Sequence, residues 1–233
     1  MEKKPSKLSR IARFLKNFTV TNLFYSEFSY AQEGEDMILR RFFGRYKKGF
    51  YVDIGAHHPV RFSNTYGFYL DGWRGINVDA MPGSMDSFRK KRPRDINLEL
   101  PVSDKTETLN FYIFNEPALN TFSEQEARSK DGKNNNKIID IRPLETVTLA
   151  SILDKHLPEG QQIDFMSIDV EGLDIRVLKS NNWEKYRPEF LLVEELLSNI
   201  TNSMGGEVNQ FLQGQGYMLV ARSYNTSFYR KTR

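Results

Sequence analysis

Short apolar runs alternate with amphipathic stretches along most of the chain, and this alternation is the main sign of its fold. Five short runs are predicted to be strands, and runs as apolar as FYVDI and FLLV are typical of parallel strands that are buried on both faces. They are residues 50–54, 75–79, 96–100, 163–169 and 189–195. Because stretches with helical spacing lie between them, the pattern predicts an α/β fold with a mostly parallel sheet covered by helices on both faces.

The stretches between the strands carry the signals that begin and end helices. Pro82 suits the first turn of a helix that runs to about residue 92, and the Thr148 side chain can cap the helix that follows it. Acids open the stretch 32–43 and arginines close it, in the sense that favours a helix dipole. Further helices are expected over residues 64–71, 149–157, 172–180 and 206–215.

The regular alternation breaks in the middle of the chain. Residues 108–114 alternate apolar and polar positions, as a half-buried strand does, and residues 137–141 are an extended stretch that can pair with them. Residues 115–136 are polar and are predicted to form a loop, either a substrate lid or a mobile excursion. Near the C-terminus, residues 217–223 and 226–231 are expected to close the fold as an antiparallel hairpin.

The composition is that of a folded domain with a substantial core. The chain has 233 residues, of which 39% are hydrophobic and 13% aromatic. It has no cysteine, which excludes disulfides, thiol catalysis and thiolate zinc sites. No run approaches the ~18 apolar residues of a membrane span, and the N-terminus lacks the apolar core of a secretory signal. A cytoplasmic location is therefore expected.

Positive charge is concentrated at the N-terminus, where residues 1–20 contain six basic residues and one acid. The apolar positions there share one face of a helix; they are Ile11, Phe14, Leu15 and Phe18. Residues 1–30 are predicted to form a basic helical arm and residues 31–233 the main domain. The arm suits either the anionic inner face of a membrane or packing on the domain's flank. The basic cluster 88–94 is predicted to be a solvated helix end, and nucleic acid is not an expected partner.

Acidic residues follow the predicted strands at the edge where an open α/β sheet binds its ligands. Four of the five strands end in an acid, and the first carries an acid beside its glycine. These acids are Asp53, Asp79, Glu99, Asp169, Glu194 and Glu195. Structural acids are usually scattered over exposed faces, so their concentration at one sheet edge predicts a ligand site.

The turn after the first strand indicates the class of cofactor. Gly55 lets a ligand approach the backbone, and Asp79 ends the next strand, where an adenosine-binding fold has the acid that holds the ribose. His57, His58 and Pro59 stand where a dinucleotide site has further glycines. A nucleoside cofactor without phosphates fits better, and S-adenosylmethionine is the obvious candidate. The alternative is a structural glycine turn with Asp79 as a helix cap.

Three carboxylates are expected to converge at neighbouring strand ends. Asp169, Glu194 and Glu195 would repel one another unless a proton or a cation lay among them, and Mg²⁺ is the natural candidate because it prefers oxygen ligands. Such an ion could bind vicinal sugar hydroxyls and lower the pKa of one of them. The alternative is that Asp169 contacts the cofactor or acts as the base while one glutamate points away, because adjacent residues of a strand face opposite ways.

Three segments resemble the FkbM family of methyltransferases. They are SYAQEGEDMIL (29–39), YVDIGAHHPVRFSNTYGFYLDGWRGINVDAMP (51–82) and IDFMSIDVEGLD (163–174). The resemblance implies a Rossmann-like class I methyltransferase fold, with a seven-stranded, mostly parallel sheet and a C-terminal antiparallel hairpin. It also implies S-adenosylmethionine as the cofactor and O-methylation, commonly of a sugar hydroxyl. The family often has asparagine where this chain has His57.

Carried over by position, the resemblance implies contacts with the cofactor. Gly55 and Ala56 would back its methionine part, Asp79 would hold the ribose hydroxyls, and Ala80 and Met81 would flank the adenine. The other expected contacts are Gln32, Asp36, Asp53, His57, Ser63, Asn64, Thr65, Val102, Ser103 and Asp169. For the Ser-Asn-Thr triplet, a plain helix cap is an equally good interpretation.

Methyl transfer to a hydroxyl also needs a group that removes the proton. The candidates are Asp169, His57, His58 and Glu171. A histidine titrates near neutral pH and suits the task, but at least one of the two is expected to have a structural role.

The leading hypothesis is therefore an S-adenosylmethionine-dependent O-methyltransferase, with a divalent metal as an aid. Its expected substrate is a saccharide, either a nucleotide sugar or a unit of a surface polysaccharide or glycolipid. One rival is an NAD-dependent nucleotide-sugar oxidoreductase, against which the missing glycines and the missing Y-x-x-x-K pair count. The other rival is a non-catalytic binding module. Self-association is left open.

Overall fold

A seven-stranded sheet forms the centre of the fold. The computed structural model describes residues 25–44, 48–195 and 200–232, and the amphipathic stretch predicted within residues 1–20 lies outside them. The strands in the described ranges are β1 Phe50–Ile54, β2 Arg74–Asp79, β3 Ile96–Glu99, β4 Thr108–Phe114, β5 Ile138–Glu145, β6 Phe165–Ile168, β7 Phe190–Glu194, β8 Tyr217–Arg222 and β9 Thr226–Lys231. The sheet has the order β3-β2-β1-β6-β7-β9-β8, and β4 and β5 form a separate pair.

The strand directions confirm the predicted Rossmann-like class I methyltransferase fold. Strands β3, β2, β1, β6 and β7 are parallel, and β8 and β9 form the predicted antiparallel hairpin at one edge. The chain moves outward from β1 to β3 and then returns to place β6 beside β1. The carboxyl ends of β1 and β6 therefore lie at the switch in strand order, where open α/β sheets bind ligands.

Helices lie at the predicted places, with some shifts at their first residues. They are α1 Glu35–Phe43, α2 Tyr66–Leu70, α3 Met85–Lys91, α4 Glu124–Lys130, α5 Leu149–His156, α6 Asp174–Lys179, α7 Ile200–Gly205 and α8 Glu207–Gly214. Helix α1 begins three residues later than predicted, because Gly34 has the left-handed φ of 85°. Helices α4 and α7 were not predicted. None of the helices in the described ranges is long and apolar enough to cross a membrane.

Both faces of the sheet are covered, as the apolar strands predicted. Val52 and Met166 point to one face and pack with residues of α5, α6 and α8. Tyr51 and Phe165, their neighbours along the same strands, point to the other face and pack with Leu39 of α1 and residues of α2. Strand alternation thus divides the core into two layers and leaves the carboxyl ends of the strands free for a site.

Residues 115–136, here called the cover segment, have more structure than the predicted loop. They contain a turn of 3₁₀ helix at Pro117–Leu119 and helix α4, and the Ser123 side chain caps α4 by accepting a hydrogen bond from the Glu126 amide. The cover segment connects β4 to β5, and these strands pair antiparallel as predicted. A buried cluster of Tyr112, Phe114 and Ala127 attaches α4 to β4, which explains why this polar stretch is ordered as a helix.

Candidate active site

A cavity of about 350 Å³ opens at the carboxyl ends of the parallel strands. Gly55, Asp79 and Asp169 line it from the sheet, and residues 116–120 of the cover segment also line it. Its size suits a small-molecule ligand. The predicted ligand edge of the sheet and the cover segment therefore enclose one space.

Gly55 brings the ends of β1 and β6 together. Its φ is +84°, in the left-handed region that favours glycine, and a Cβ here would lie 1.7 Å from the Asp169 carbonyl oxygen. A side chain at this position is therefore excluded by the neighbouring backbone. Because Gly55 also lines the cavity, the same absence of a side chain leaves its backbone accessible to a ligand.

Asp79 is held by backbone amides on both of its carboxylate oxygens. The His57 amide donates to Oδ2 at 2.9 Å and the Met81 amide donates to Oδ1 at 2.8 Å. Burial raises the pKa of Asp79, and the two amides oppose that rise. Each carboxylate oxygen can accept a further hydrogen bond, so Asp79 can hold the turn and still bind a ligand. The N-cap position of α3 itself is taken by Ser84.

The Ser-Asn-Thr triplet divides between the cavity and the core. Asn64 lines the cavity, and its side-chain amide donates to the Ser167 hydroxyl at 3.0 Å. Ser63 and Thr65 are buried and do not line the cavity. Ser63 accepts a hydrogen bond from the Tyr66 amide, the first of α2, from two residues before the N-cap Thr65.

A buried ion pair lies behind the triplet. The fully buried Arg92 guanidinium donates to Asp95 at 2.8 Å and to the Thr65 hydroxyl at 3.0 Å, and Thr65 in turn donates to Asp53 at 2.7 Å. Asp53 therefore faces this network, and it does not line the cavity. The prediction that the basic cluster 88–94 is a solvated helix end is therefore wrong for Arg92, because hydrogen bonds to Asp95 and Thr65 hold its guanidinium group in the core.

The other expected cofactor contacts divide in the same way. Those that line the cavity are Gln32, Ala80, Met81 and Val102. Asp36 is buried and accepts hydrogen bonds from the Ser29 hydroxyl and the Tyr30 amide. Ala56 packs against α3, and Ser103 is fully buried. The structure does not bring Asp36, Ala56 or Ser103 to the cavity, because their partners lie within the fold.

The two histidines have different environments. His57 lines the cavity with a left-handed φ of 53°, and its ring stacks on Phe62 with centroids 6.3 Å apart. Burial lowers the pKa of His57, and its Nε2 has no hydrogen-bond partner among the described residues. The exposed His58 does not line the cavity, and its Nδ1 accepts from the amides of Val60 and Arg61. His58 thus has the structural role expected of one histidine.

Three carboxylates meet where β6 and β7 end. One oxygen from each of Asp169, Glu171 and Glu194 lies within 4.8 Å of the others. The Asp169 side chain is accessible from the cavity, although protein surrounds its other sides. Burial, together with the charge of Glu194, raises the pKa of Asp169. Burial, together with the charge of Glu171, raises the pKa of Glu194 to about 8. Such a cluster favours a bound proton or cation.

Glu195, a predicted metal ligand, lies outside this cluster. Its side chain is buried, and its carboxylate accepts from the Tyr229 hydroxyl at 3.0 Å. Strand β7 extends to Glu194, so the next side chain faces the opposite side. The third carboxylate of the cluster belongs instead to Glu171, which lies in the turn after β6 and which the sequence suggested only as a base.

The sequence profile of the methyltransferase FkbM domain matches residues 53–219. The chain belongs to the FkbM methyltransferase family. The matched range includes the glycine turn, the cover segment and the three clustered carboxylates. A comparison with curated proteins found no match.

Three solved structures that resemble this FkbM domain are methyltransferases. One is the FkbM methyltransferase from Methylobacillus flagellatus KT, with 11% identity and a TM-score of 0.47 over 78% of this chain and 43% of that chain. The second is the 1,6-didemethyltoxoflavin N1-methyltransferase from Burkholderia thailandensis, bound to 1,6-didemethyltoxoflavin and S-adenosylhomocysteine. It has 12% identity and a TM-score of 0.44 over 100% of this chain and 94% of that chain. The third is an O-methyltransferase from Bacillus cereus in complex with S-adenosylhomocysteine. It has 11% identity and a TM-score of 0.39 over 99% of this chain and 92% of that chain.

Residues on both sides of the matched range also line the cavity, and the sequence analysis did not name them. Glu33 and Glu35 lie beside the turn between β8 and β9, where the Asn225 amide donates to Glu33 at 2.7 Å. The Ser223 hydroxyl lies 3.0 Å from a carboxylate oxygen of each acid. Both acids lie next to Gln32 in the segment 29–39, which the sequence analysis had already identified, so their position in that segment could have indicated them. The turn between β8 and β9 is far from this segment in sequence, and no sequence signal pointed to it.

Proposed function

We propose that the protein is an S-adenosylmethionine-dependent O-methyltransferase that acts on a sugar hydroxyl with the aid of a divalent cation. Family membership supports methyl transfer. One observation carries the rest of the proposal: the glycine turn with Asp79 and the cluster of carboxylates face the same cavity. A group that binds at the turn and a group that binds at the cluster would therefore be neighbours.

The residues around the glycine turn fit the cofactor. Gly55 offers an accessible backbone, and Asp79 keeps acceptor capacity for ribose hydroxyls. Ala80, Met81 and Val102 line the same part of the cavity and suit the flank of an adenine. The cofactor would supply a methyl group already activated by a cationic sulfur.

Asp169 is the proposed general base, and His57 is the alternative. Burial and the neighbouring acids raise the pKa of Asp169, which moves a carboxylate towards the range in which it can take a proton from a hydroxyl. His57 lines the cavity, its buried Nε2 has no hydrogen-bond partner among the described residues, and its lowered pKa keeps it neutral near pH 7. His58 is occupied by backbone amides, and Glu171 by the ammonium group of Lys130.

The donor set of the cluster fits a hard divalent cation. Asp169, Glu171 and Glu194 offer three carboxylate oxygens, and Mg²⁺ prefers such ligands together with water. A cation held by these residues would offset their mutual repulsion and act as a Lewis acid on a sugar hydroxyl.

The polar lining beside the cluster supports a saccharide acceptor. Gln32, Glu33, Glu35 and Asn225 face the cavity. Their amides and carboxylates can donate to and accept from sugar hydroxyls. The proposed substrate is a nucleotide sugar or a unit of a surface polysaccharide or glycolipid.

Calorimetry with S-adenosylhomocysteine tests the cofactor half of the proposal. We expect wild-type protein to bind it and Asp79→Ala to bind at least about 100-fold more weakly, because a ligand and two backbone amides lose their acceptor. Asp86→Ala, which removes an exposed carboxylate from α3, is the matched control. Binding of NAD in place of S-adenosylhomocysteine, or unchanged binding by Asp79→Ala, would contradict the proposal.

Transfer of a labelled methyl group to a panel of bacterial sugar nucleotides and polysaccharide fragments tests the acceptor. Protein that binds the cofactor but methylates no saccharide would contradict the acceptor class. Activity that persists in EDTA would contradict the proposed role of a metal. Activity that persists in the Asp169→Asn variant would contradict the role of Asp169 as the base.

The location and the partners stay predictions of the sequence. We propose that the basic N-terminus contacts the anionic inner face of a membrane, and sedimentation with anionic vesicles, with and without residues 1–20, tests this contact. Light scattering tests whether the chain self-associates.

A further inference from the structure

The cover segment contacts Glu171 at two points. The Thr121 hydroxyl donates to the Glu171 carbonyl oxygen at 2.6 Å, and the Lys130 ammonium group lies 2.6 Å from the Glu171 carboxylate. Thr121 precedes α4 and Lys130 is its last residue, so the two contacts come from opposite ends of this helix. Glu171 therefore links the cover segment to the acid cluster.

Glu171 has a backbone conformation that needs support. Its φ is 50°, in the left-handed region that is costly for a residue with a side chain. The amides on either side of it, from Val170 and Gly172, donate to the buried Asp174 carboxylate at 3.1 and 3.2 Å. Asp174 fixes the turn from within the domain, and Thr121 fixes the carbonyl oxygen from the cover segment.

The ion pair of Lys130 and Glu171 is largely shielded from water. The two side chains are only 20% and 18% exposed, so solvent screens their attraction less than it would on an open surface. The positive charge of Lys130 also lowers the repulsion among Asp169, Glu171 and Glu194. A divalent cation in the cluster would need the Glu171 carboxylate and would be repelled by the ammonium group already there.

We propose that the cover segment is a working part of the acid site. Thr121 and Lys130 are positioning residues that hold Glu171 beside Asp169 and Glu194, and Lys130 competes with a divalent cation for the Glu171 carboxylate. Docking of the cover segment and binding of a metal at Glu171 thus oppose each other. The competition rests on the metal proposed above, whereas the positioning of Glu171 does not.

Titration with Mn²⁺ alone, followed by electron paramagnetic resonance, tests the competition. Lys130→Met removes the charge and keeps the length of the side chain, and we expect it to bind Mn²⁺ about tenfold more tightly than wild type. Lys130→Arg keeps the charge and should restore the wild-type affinity. Lys133→Met, an exposed lysine of the same segment, is the matched control. Equal affinities of wild type and Lys130→Met would overturn the competition.

Hydrogen exchange of residues 115–131 tests the positioning without a substrate. In metal-free protein we expect Lys130→Met to exchange about tenfold faster, the effect of losing one charge-assisted hydrogen bond, and Lys130→Arg to exchange like wild type. Saturating Mn²⁺ should speed exchange in wild type. Exchange in metal-free Lys130→Met equal to that of wild type would overturn the positioning role. If no variant binds Mn²⁺, the metal proposal and the competition fail together, and metal-free exchange alone decides the role of Lys130.

Discussion

The two halves of the cavity are built by different means. On the side of β1 and β2 the backbone builds the site: Gly55 lies against the Asp169 carbonyl oxygen, and Asp79 accepts two main-chain amides. On the side of β6 and β7 side chains build it, since the carboxylates of Glu171 and Glu194 meet that of Asp169. The first half is fixed by sterics and local hydrogen bonds. The second half depends on how charge is balanced.

This difference predicts how each half fails. A change in the first half acts through the fold, because the chain has no room to adjust around Gly55. A change in the second half acts through protonation and counter-ions, because the carboxylates can take up a proton or a cation when a partner is lost. Measuring the free energy of unfolding over a range of pH can therefore distinguish the two halves. The effect of a change in the first half should not depend on pH, whereas the effect of a change in the second half should.

The largest effect is expected from Gly55→Ala. A Cβ would lie 1.7 Å from the Asp169 carbonyl oxygen at a φ of +84°, so the ends of β1 and β6 would have to separate. We expect a loss of about 3 kcal/mol or more in the free energy of unfolding, measured by urea denaturation, from overpacking together with backbone strain.

Gly83→Ala separates these two causes. Gly83 has nearly the same φ, +83°, but a Cβ there would meet no atom within 4 Å. Strain alone then predicts a loss of about 1 kcal/mol. Equal losses for the two substitutions would show that the contact between β1 and β6 is not what requires glycine.

The backbone-built half was largely predictable from the sequence, and the reason is locality. Gly55 and Asp79 follow strands whose apolar patterns are clear, and the fold fixes their positions relative to each other. Ser63 and Thr65 could not be told apart from Asn64, because only the buried Arg92 decides which side chains turn inward. A charged residue in a basic run gives no sign that it will be buried.

The charge-built half was predictable only in part. Asp169 and Glu194 end predicted strands, but the choice between Glu195 and Glu171 depended on where β7 stops and on a left-handed turn after β6. Lys130 reaches the cluster from a segment predicted to be a loop. Contacts of this kind join parts of the chain that are far apart in sequence, and no local pattern announces them.

An intermediate effect is expected from Glu194→Gln, and it should depend on pH. The pKa of Glu194 is raised from 4.5 to about 8 in the folded protein by burial and by Glu171. Between these values the unfolded chain has lost its proton and the folded protein keeps it, so wild-type stability falls as pH rises through this window. Glutamine cannot ionise. The variant should therefore gain at least about 1 kcal/mol relative to wild type across the window, in EDTA.

Urea denaturation at several pH values measures this gain. Glu184→Gln, the same substitution at an exposed position of the chain, should run parallel to wild type. If the difference in the free energy of unfolding between Glu194→Gln and wild type stays constant with pH, the charge of Glu194 does not destabilise the folded protein.

The smallest effect is expected from Glu195→Gln, which tests the division between the two adjacent glutamates. Glu195 accepts a hydrogen bond from Tyr229 and lies outside the cluster. The variant should lose about 1 kcal/mol or less in the free energy of unfolding, because glutamine can still accept from that hydroxyl. Its affinity for Mn²⁺ should match that of wild type, whereas Glu194→Gln should bind the ion at least about tenfold more weakly. If Glu195→Gln weakens Mn²⁺ binding as much as Glu194→Gln does, the ion uses both glutamates, and the alternation of side chains along β7 does not extend to its carboxyl end.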